Sequence, residues 1–457
     1  MNKNEIITKM ARESFEKGGF NGTWLYAEGG RIVTKGAVGW RDPENRLAVQ
    51  EDTIFEMASV TKQFTATAVM LLVRDGKLGL DDPYTKYFPD YPYAGVTLRH
   101  LLTHTSGMPD FDVEELVAPV LHGEKRIPEC REIIDLIRKT GEGPAAAPGE
   151  TFCYSDVGYM LLANAVEKAA GVPFEDFMRK HVFEPAGMKD SRILHTRRDG
   201  FPSDRIARNM VLENDVYVPS DLAERSAAYV VGSDGMNGCD YLYTTIFDMF
   251  AWDRALHDET VLTRAEQQIM FTPGKLNDGT AAGADEDEDG YGFGWFVKND
   301  TVDGLIVGHS GGMPGLSTWF ERFVDRDRVL IFLCCRERND ARAYWGFEEA
   351  LEAVARDKKP APVKCLDDLV VKDPDRSKWP DFCGKYEHPA DAEFIIDEVF
   401  LKNGELYANA MDDDGDELSF RLYPIGKDEF GRKGGLLDVT FGDGCLSFDG
   451  MTCKKIR

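Results

Sequence analysis

The sequence predicts an α+β fold for its larger part: one antiparallel sheet flanked by helices, with a helical insertion, followed by a small antiparallel β-barrel. Three observations predict it. The chain has 457 residues, and a single core stops growing at roughly 250–300 residues, so a large domain and a smaller one are expected. Strand-like segments lie at both ends of the first 358 residues and bracket a mainly helical stretch. Short strands with tight turns then resume after Trp379.

Residues 4–18 have the spacing of an amphipathic helix. TWLYAEGGRIVTKGAVGW alternates around Gly29-Gly30 and reads as a β-hairpin. Residues 59–75 are apolar nearly all round, which predicts a buried helix opened by Ser59 and closed near Gly76. The insertion runs from about 84 to 285, with helices expected over 157–170 and 245–256. Segments 291–297, 303–308, 316–323 and 328–335 read as successive antiparallel strands, and 347–357 as a closing helix. Residues 359–378 carry Pro and charge and read as a linker. From 379 to 457, strands separated by NG, GK and DG turns suggest a small barrel or sandwich.

Composition excludes several functions. Lys and Arg total 54 against 80 Asp and Glu, a formal charge of −26. Such a surface repels phosphate backbones and anionic membranes, so neither nucleic acid nor membrane is an expected partner. The N-terminal residues show no apolar signal core and no run is long enough to span a bilayer. Nine scattered cysteines without a CxxC pair predict reduced thiols and a cytoplasmic protein. His100 and His104 are four apart, but no HExxH carboxylate accompanies them, so no metal and no cofactor is expected.

Two serines compete as a nucleophile. Gly308-His309-Ser310-Gly311-Gly312 fits G-x-S-x-G, yet an elbow serine needs a helix directly after it. Gly311, Gly312, Pro314 and Gly315 follow instead, and the only later histidine is His388. Ser59-Val60-Thr61-Lys62 is S-x-x-K at the start of a buried helix. Residues i and i+3 share a helix face, so the lysine amine reaches the serine hydroxyl. The helix N-terminus favours negative charge there, and burial is expected to lower the lysine pKa so that it accepts the serine proton. Alone, this spacing is weak: Ser59 as a helix cap and Lys62 as a surface residue explains it better.

Further segments remove that ambiguity. FEMASVTKQFTA, LRHLLTHTSGMPDF, PGETFCYSDVGYMLL, YGFGWFV and VGHSGGMPG occur in this order over residues from about 20 to 355. In this the chain resembles the serine β-lactamase and penicillin-binding-protein superfamily, in its class C β-lactamase-like branch with D-aminopeptidases and esterases. The C-terminal part is similar to the lipocalin-like barrel appended to several members. The resemblance implies a hydrolase domain over 1–358, a linker over 359–378 and a barrel over 379–457. It implies Ser59 as the acylated nucleophile, Lys62 as its proton acceptor and Tyr154 as a proton relay. Asp156, His309 and Gly311 would contact substrate, and the backbone N–H groups of Ser59 and Gly312 would form the oxyanion hole. Ser310 is then a bystander on the wall of the site. His104 in HTSG matches a motif whose role there is mainly structural.

Two positions depart from the β-lactamase pattern. The third motif begins with His309 where a lysine is common, which weakens capture of a substrate carboxylate. The second motif ends in Asp156 where asparagine is usual. A carboxylate lacks the amide donor, and its charge favours a protonated Lys62, shifting the base role to Tyr154, or attracts a substrate ammonium. The expected function is therefore a serine hydrolase acting through a Ser59 acyl-enzyme on small amides, short peptides (D-residue peptides among them) or esters. The alternatives are β-lactamase or DD-carboxypeptidase activity, or a non-hydrolytic ligand-binding or sensor protein. The barrel is expected either to narrow the cleft or to join copies into a homo-oligomer.

Overall fold

The structure, a computed structural model, describes residues 2–109, 111, 116, 127–213, 216–285, 287–336, 342–389, 392, 394–411, 417–433 and 437–456. The chain separates into two compact units. One holds Met1–Thr8, Asn21–Glu337 and Ala355–Asp357, and the other holds Lys9–Phe20, Arg338–Val354 and Lys358–Arg457.

The first unit is built on a seven-stranded antiparallel sheet. Its strands are β1 (Gly22–Glu28), β2 (Arg31–Val38), β3 (Gly290–Tyr291), β4 (Phe296–Asp300), β5 (Gly304–Met313), β6 (Leu316–Phe323) and β7 (Arg328–Cys334). They lie in the order β3-β4-β5-β6-β7-β1-β2. The sheet is thus assembled from both ends of the unit, and β1 joins them by pairing with β7, Leu25 opposite Ile331. The run 291–297, expected as one strand, is two. Gly294 has a φ of +80° and a β-carbon there would lie 2.7 Å from the Gln63 Cα, so the chain turns to let a helix backbone approach.

That helix is α2 (Lys62–Arg74), which follows α1 (Lys3–Glu16) and is buried on nearly every face through Leu72. Ser59 does not cap it: a 3-10 turn, Ala58–Thr61, precedes it and contains Ser59. The insertion supplies α3 (Leu98–Leu102), α4 (Asp156–Ala170) and α5 (Ile246–His257). α4 begins and ends on sequence signals: Ser155 Oγ accepts the Gly158 N–H at 3.3 Å, and Gly171 closes it at φ +73°. A small three-stranded sheet pairs Phe55–Glu56 and Arg192–Ile193 with Leu242–Thr244. It brings the segment just before Leu242 beside the start of α2.

In the second unit nine antiparallel strands form a nearly closed barrel. Its core includes Tyr386, Ile396, Val399, Leu406, Val439 and Leu446, which alternate with half-buried or exposed neighbours. Asn403, Asp443 and Asp449 take positive φ at the hairpin turns. Residues 9–20 and helix α6 (Arg342–Ala355) belong with this unit up to Val354. There Ser14 Oγ donates to the Ala343 carbonyl at 2.5 Å and Phe20 lies 4.5 Å from Phe347.

Candidate active site

Ser59 is held by its backbone. Ala58 sits in the left-handed region at φ +45° although it carries a β-carbon, a strained conformation that turns the chain into the Ser59 turn. The Met57 N–H donates to the Leu242 carbonyl at 2.8 Å, and Thr318 Oγ1 on β6 donates to the Met57 carbonyl at 2.8 Å. Gly311 on β5 lies directly against this clamp. A β-carbon there would lie 2.1 Å from the Met57 carbonyl oxygen and 2.3 Å from Thr318 Oγ1. Backbone cannot yield to a methyl at that distance. Gly311→Ala is expected to cost about 3 kcal/mol in chemical unfolding and to lower activity by pushing β5 off the Ser59 turn.

Lys62 is fully buried, and its Nζ lies 2.9 Å from Ser59 Oγ, 2.5 Å from Asp156 Oδ1 and 3.4 Å from the Cys239 carbonyl. Burial pulls its pKa down, as the sequence led one to expect. The charge of Asp156, then those of Tyr154 and Asp240, outweigh it, and the net shift is well above the ordinary lysine value. Lys62 is therefore an ammonium at neutral pH.

Tyr154 lies at the mouth of α4, where the ring stacks on His104 at 4.2 Å and faces the Lys62 ammonium at 4.8 Å. Its hydroxyl bonds to the side chains of Lys62 and Ser59. Burial pushes its pKa up to about 12, against the pull of Lys62. His104 has a positive φ of 54°, and its Nδ1 accepts the Ser155 N–H at 3.0 Å, so it both locates α4 and floors Tyr154. Burial and the charge of Lys62 keep its imidazole neutral, well below its ordinary pKa. His100 has a separate task, with Nδ1 accepting the Thr97 N–H at the cap of α3.

His309 on β5 is buried, and both ring nitrogens are used within the protein. Nδ1 donates to the Ser310 carbonyl at 2.6 Å and Nε2 accepts the Tyr291 hydroxyl at 2.9 Å. Burial, then Lys62, press its pKa down to about 3. A neutral ring with both nitrogens bonded is no anchor for a carboxylate. Its NMR titration is expected to show no protonation above pH 5. Gly312, beside Gly311, is exposed, and Ser310 pairs opposite Trp319 in the β5–β6 ladder.

The structure thus gathers Ser59, Lys62, Tyr154, Asp156, His309 and Gly311 around one point. It adds two residues that sequence reasoning missed. Tyr291 opens the YGFGWFV segment but carried no expected role. Asp240 belongs to no motif; it comes from the glycine-rich stretch before Leu242. That stretch is pinned to α2 by Thr65 Oγ1, which donates to the Gly238 carbonyl at 2.7 Å, and by Thr61 Oγ1, which accepts the Leu242 N–H at 3.2 Å. Asp240 is 4% exposed. Burial, then repulsion from Asp156, push its pKa up to about 7 against the attraction of Lys62.

The arrangement has counterparts. The family description "Beta-lactamase" matches residues 7–353. The chain belongs to the beta-lactamase family. Within it, the chain is 35% identical over 341 residues to penicillin-binding protein 4* of Bacillus subtilis (strain 168), covering 74% of this chain and 73% of that protein. Esterase EstB of Burkholderia gladioli is 28% identical over 368 residues, covering 73% and 88%. The octameric penicillin-binding protein homologue from Pyrococcus abyssi has the same fold over 99% of this chain and 100% of its own, at a TM-score of 0.66 and 22% identity. The chain is a β-lactamase-related serine hydrolase. Among the described residues, no helix is long and apolar enough to cross a membrane.

Proposed function

We propose that this family member hydrolyses small amides, short peptides or esters through an acyl-enzyme on Ser59. The observation that carries the reading is the buried Lys62 Nζ, 2.9 Å from Ser59 Oγ and paired with Asp156 beside Tyr154. Ser59 Oγ attacks the acyl carbon while its proton passes to the Tyr154 oxygen. The N–H groups of Ser59 and Gly312 hold the oxyanion. Collapse breaks the C–N or C–O bond, and the proton goes from Tyr154 to the leaving group. Water then attacks the ester by the same relay, releasing the acid and restoring the Ser59 hydroxyl. Lys62 stays charged throughout and stabilises negative charge on Tyr154.

A base with a pKa of about 12 is mostly protonated at neutral pH, and its active fraction grows tenfold with each pH unit. The kcat/KM is therefore expected to keep rising through pH 9. A plateau by pH 7 would remove Tyr154 from the base role.

The deciding experiment is intact-mass spectrometry after a fluorophosphonate, and separately after a penicillin, on wild type and Ser59→Ala. One fluorophosphonate adduct on wild type only is the expected result. Penicillin labelling is expected to be slow, because His309 offers no fixed positive charge to its carboxylate. The second reading, β-lactam recognition, rests on the penicillin-binding relative at 35% identity, and rapid penicillin acylation would favour it. No adduct with either reagent would instead favour a non-hydrolytic binding protein.

We place the enzyme in the cytoplasm on its scattered cysteines, which pair in no disulfide among the described residues. The net charge of −26 disfavours nucleic acid as a partner. Self-association is supported by the Pyrococcus homologue, which is octameric, and sedimentation velocity tests it.

A further inference from the structure

Ala58 holds its positive φ immediately before Ser59, and a strained residue keeps its conformation only while its neighbours cannot turn to relieve it. The Met57 backbone is bonded through both its N–H and its carbonyl. One residue earlier, the side chain of Glu56 is anchored as well. Glu56 is 1% exposed, and one carboxylate oxygen, Oε2, accepts three hydrogen bonds: from Arg197 Nη1 at 3.0 Å, Asn209 Nδ2 at 2.8 Å and the Tyr243 hydroxyl at 3.0 Å. None of these donors is near Glu56 in sequence. All three come from the helical insertion.

Arg197 carries the connection further. It lies on the short helix Thr196–Asp199 with its side chain buried, and Nη1 also donates to the Tyr243 hydroxyl at 3.0 Å. Asp234 meets the same group: Oδ1 lies 3.6 Å from Nη1, and Oδ2 accepts the backbone N–H groups of Arg197 at 3.0 Å and Arg198 at 2.8 Å. Burial works against the guanidinium charge, but Tyr243, Glu56, Tyr241 and Asp234 outweigh it and hold the pKa well above its ordinary value. Asp234 begins the strap that leads to Cys239, whose carbonyl lies 3.4 Å from Lys62 Nζ. One guanidinium thus joins the turn that carries the nucleophile to the strap that holds the lysine. A buried ion pair gains little stability over apolar side chains of the same volume. Its directional bonds instead define one position for each partner.

We propose that Glu56 and Arg197 are positioning residues for Ser59, with Asp234 as the second anchor of the guanidinium. The buried chain Glu56–Arg197–Asp234 sets the spacing between the Ser59 turn and the strap, and through it the approach of Lys62 Nζ to Ser59 Oγ. The proposal rests on Ser59 being the nucleophile, as argued above.

The test compares the rate at which a fluorophosphonate labels Ser59, followed by intact mass, with the Tm of each variant. Labelling is expected to slow about tenfold in Glu56→Gln, and about a hundredfold in Arg197→Met and in the double variant Glu56→Gln/Arg197→Met. The double variant is expected to melt above Arg197→Met, because it no longer buries the Glu56 charge without its partner, yet to label no faster. Stability regained without reactivity is the mark of a positioning role. Asp253→Asn is the control. It weakens an equally buried pair outside this chain of contacts, Asp253 with Arg322 at 2.7 Å, and is expected to lower the Tm while labelling within about twofold of wild type. If Arg197→Met does not fold, Glu56→Gln and the control still decide. Labelling of Glu56→Gln at the wild-type rate, or a rate that simply follows the Tm across the variants, overturns the positioning role and leaves the Ser59 reading standing. Absence on wild type of an adduct that Ser59→Ala abolishes overturns the Ser59 reading, and this proposal with it.

Discussion

Ser59→Ala is expected to lower kcat/KM for any amide or ester the enzyme turns over by at least about 10⁴-fold. No neighbouring group can take over the attack. Lys62 is held as an ammonium, which has no free electron pair. The Cys239 thiol is buried, with its pKa pushed well above the ordinary value, so it supplies no thiolate. The Tyr154 hydroxyl is neutral below about pH 12. The fold is expected to tolerate the change, because Lys62 loses only one of three contacts and keeps Asp156 and the Cys239 carbonyl. Steady-state kinetics beside a thermal melt checks both halves: activity should vanish while the Tm moves by only a few degrees. Turnover that survives in this variant would assign the chemistry to a different group.

Lys62→Met is expected to destabilise the protein by about 3–5 kcal/mol at pH 8 and far less near pH 4. The sign follows from Asp240, whose native pKa of about 7 lies above its ordinary value of 3.8. The native state holds that proton more tightly than the unfolded chain does. Its contribution to stability is whole below about pH 4 and is lost as pH rises through about 7. Removing Lys62 withdraws the neighbouring charge that pulls this pKa down, so the loss at high pH deepens. Asp156, Glu56, Cys239, Tyr229 and Tyr241 also face the cluster, and none brings a positive charge. Thermal unfolding of Lys62→Met at the two pH values tests this, and the double variant Lys62→Met/Asp240→Asn should regain most of the stability lost at pH 8. An equal drop at both pH values would point to lost packing instead of lost charge.

The gathered residues were legible where local spacing does the work. Ser59 and Lys62 share one turn of chain, and Tyr154 and Asp156 flank a capped helix start. The sheet was legible because its strands alternate or run apolar, except where Gly294 must pass close to Gln63 and divides one expected strand into two. Asp240 was not legible, because no spacing rule links residue 240 to residue 62. Their meeting depends on the pairing of Phe55–Glu56 with Tyr243 and Thr244, a long-range contact. The charge on Lys62 was partly legible: burial alone predicts a lowered pKa, but Asp156, readable from its motif, points to the protonated amine that the folded site holds, and Asp240 only adds to it. His309 was expected to be a weak anchor, but its complete engagement needed Tyr291, which only the folded sheet places opposite it.

The seam between β1 and β7 sets a timetable for synthesis. Gly22 pairs with Cys334, so the first strand made waits for the last one of its sheet. At ribosomal speeds of about 5–20 residues per second, that interval is on the order of 15–60 s. For this time the β1–β2 hairpin carries an unpaired edge, a template for wrong partners and a natural client for chaperones. The Met57 carbonyl likewise waits for Thr318 before the turn carrying Ser59 is clamped. A nascent chain therefore leaves the ribosome with its nucleophile unset until most of the large unit has emerged.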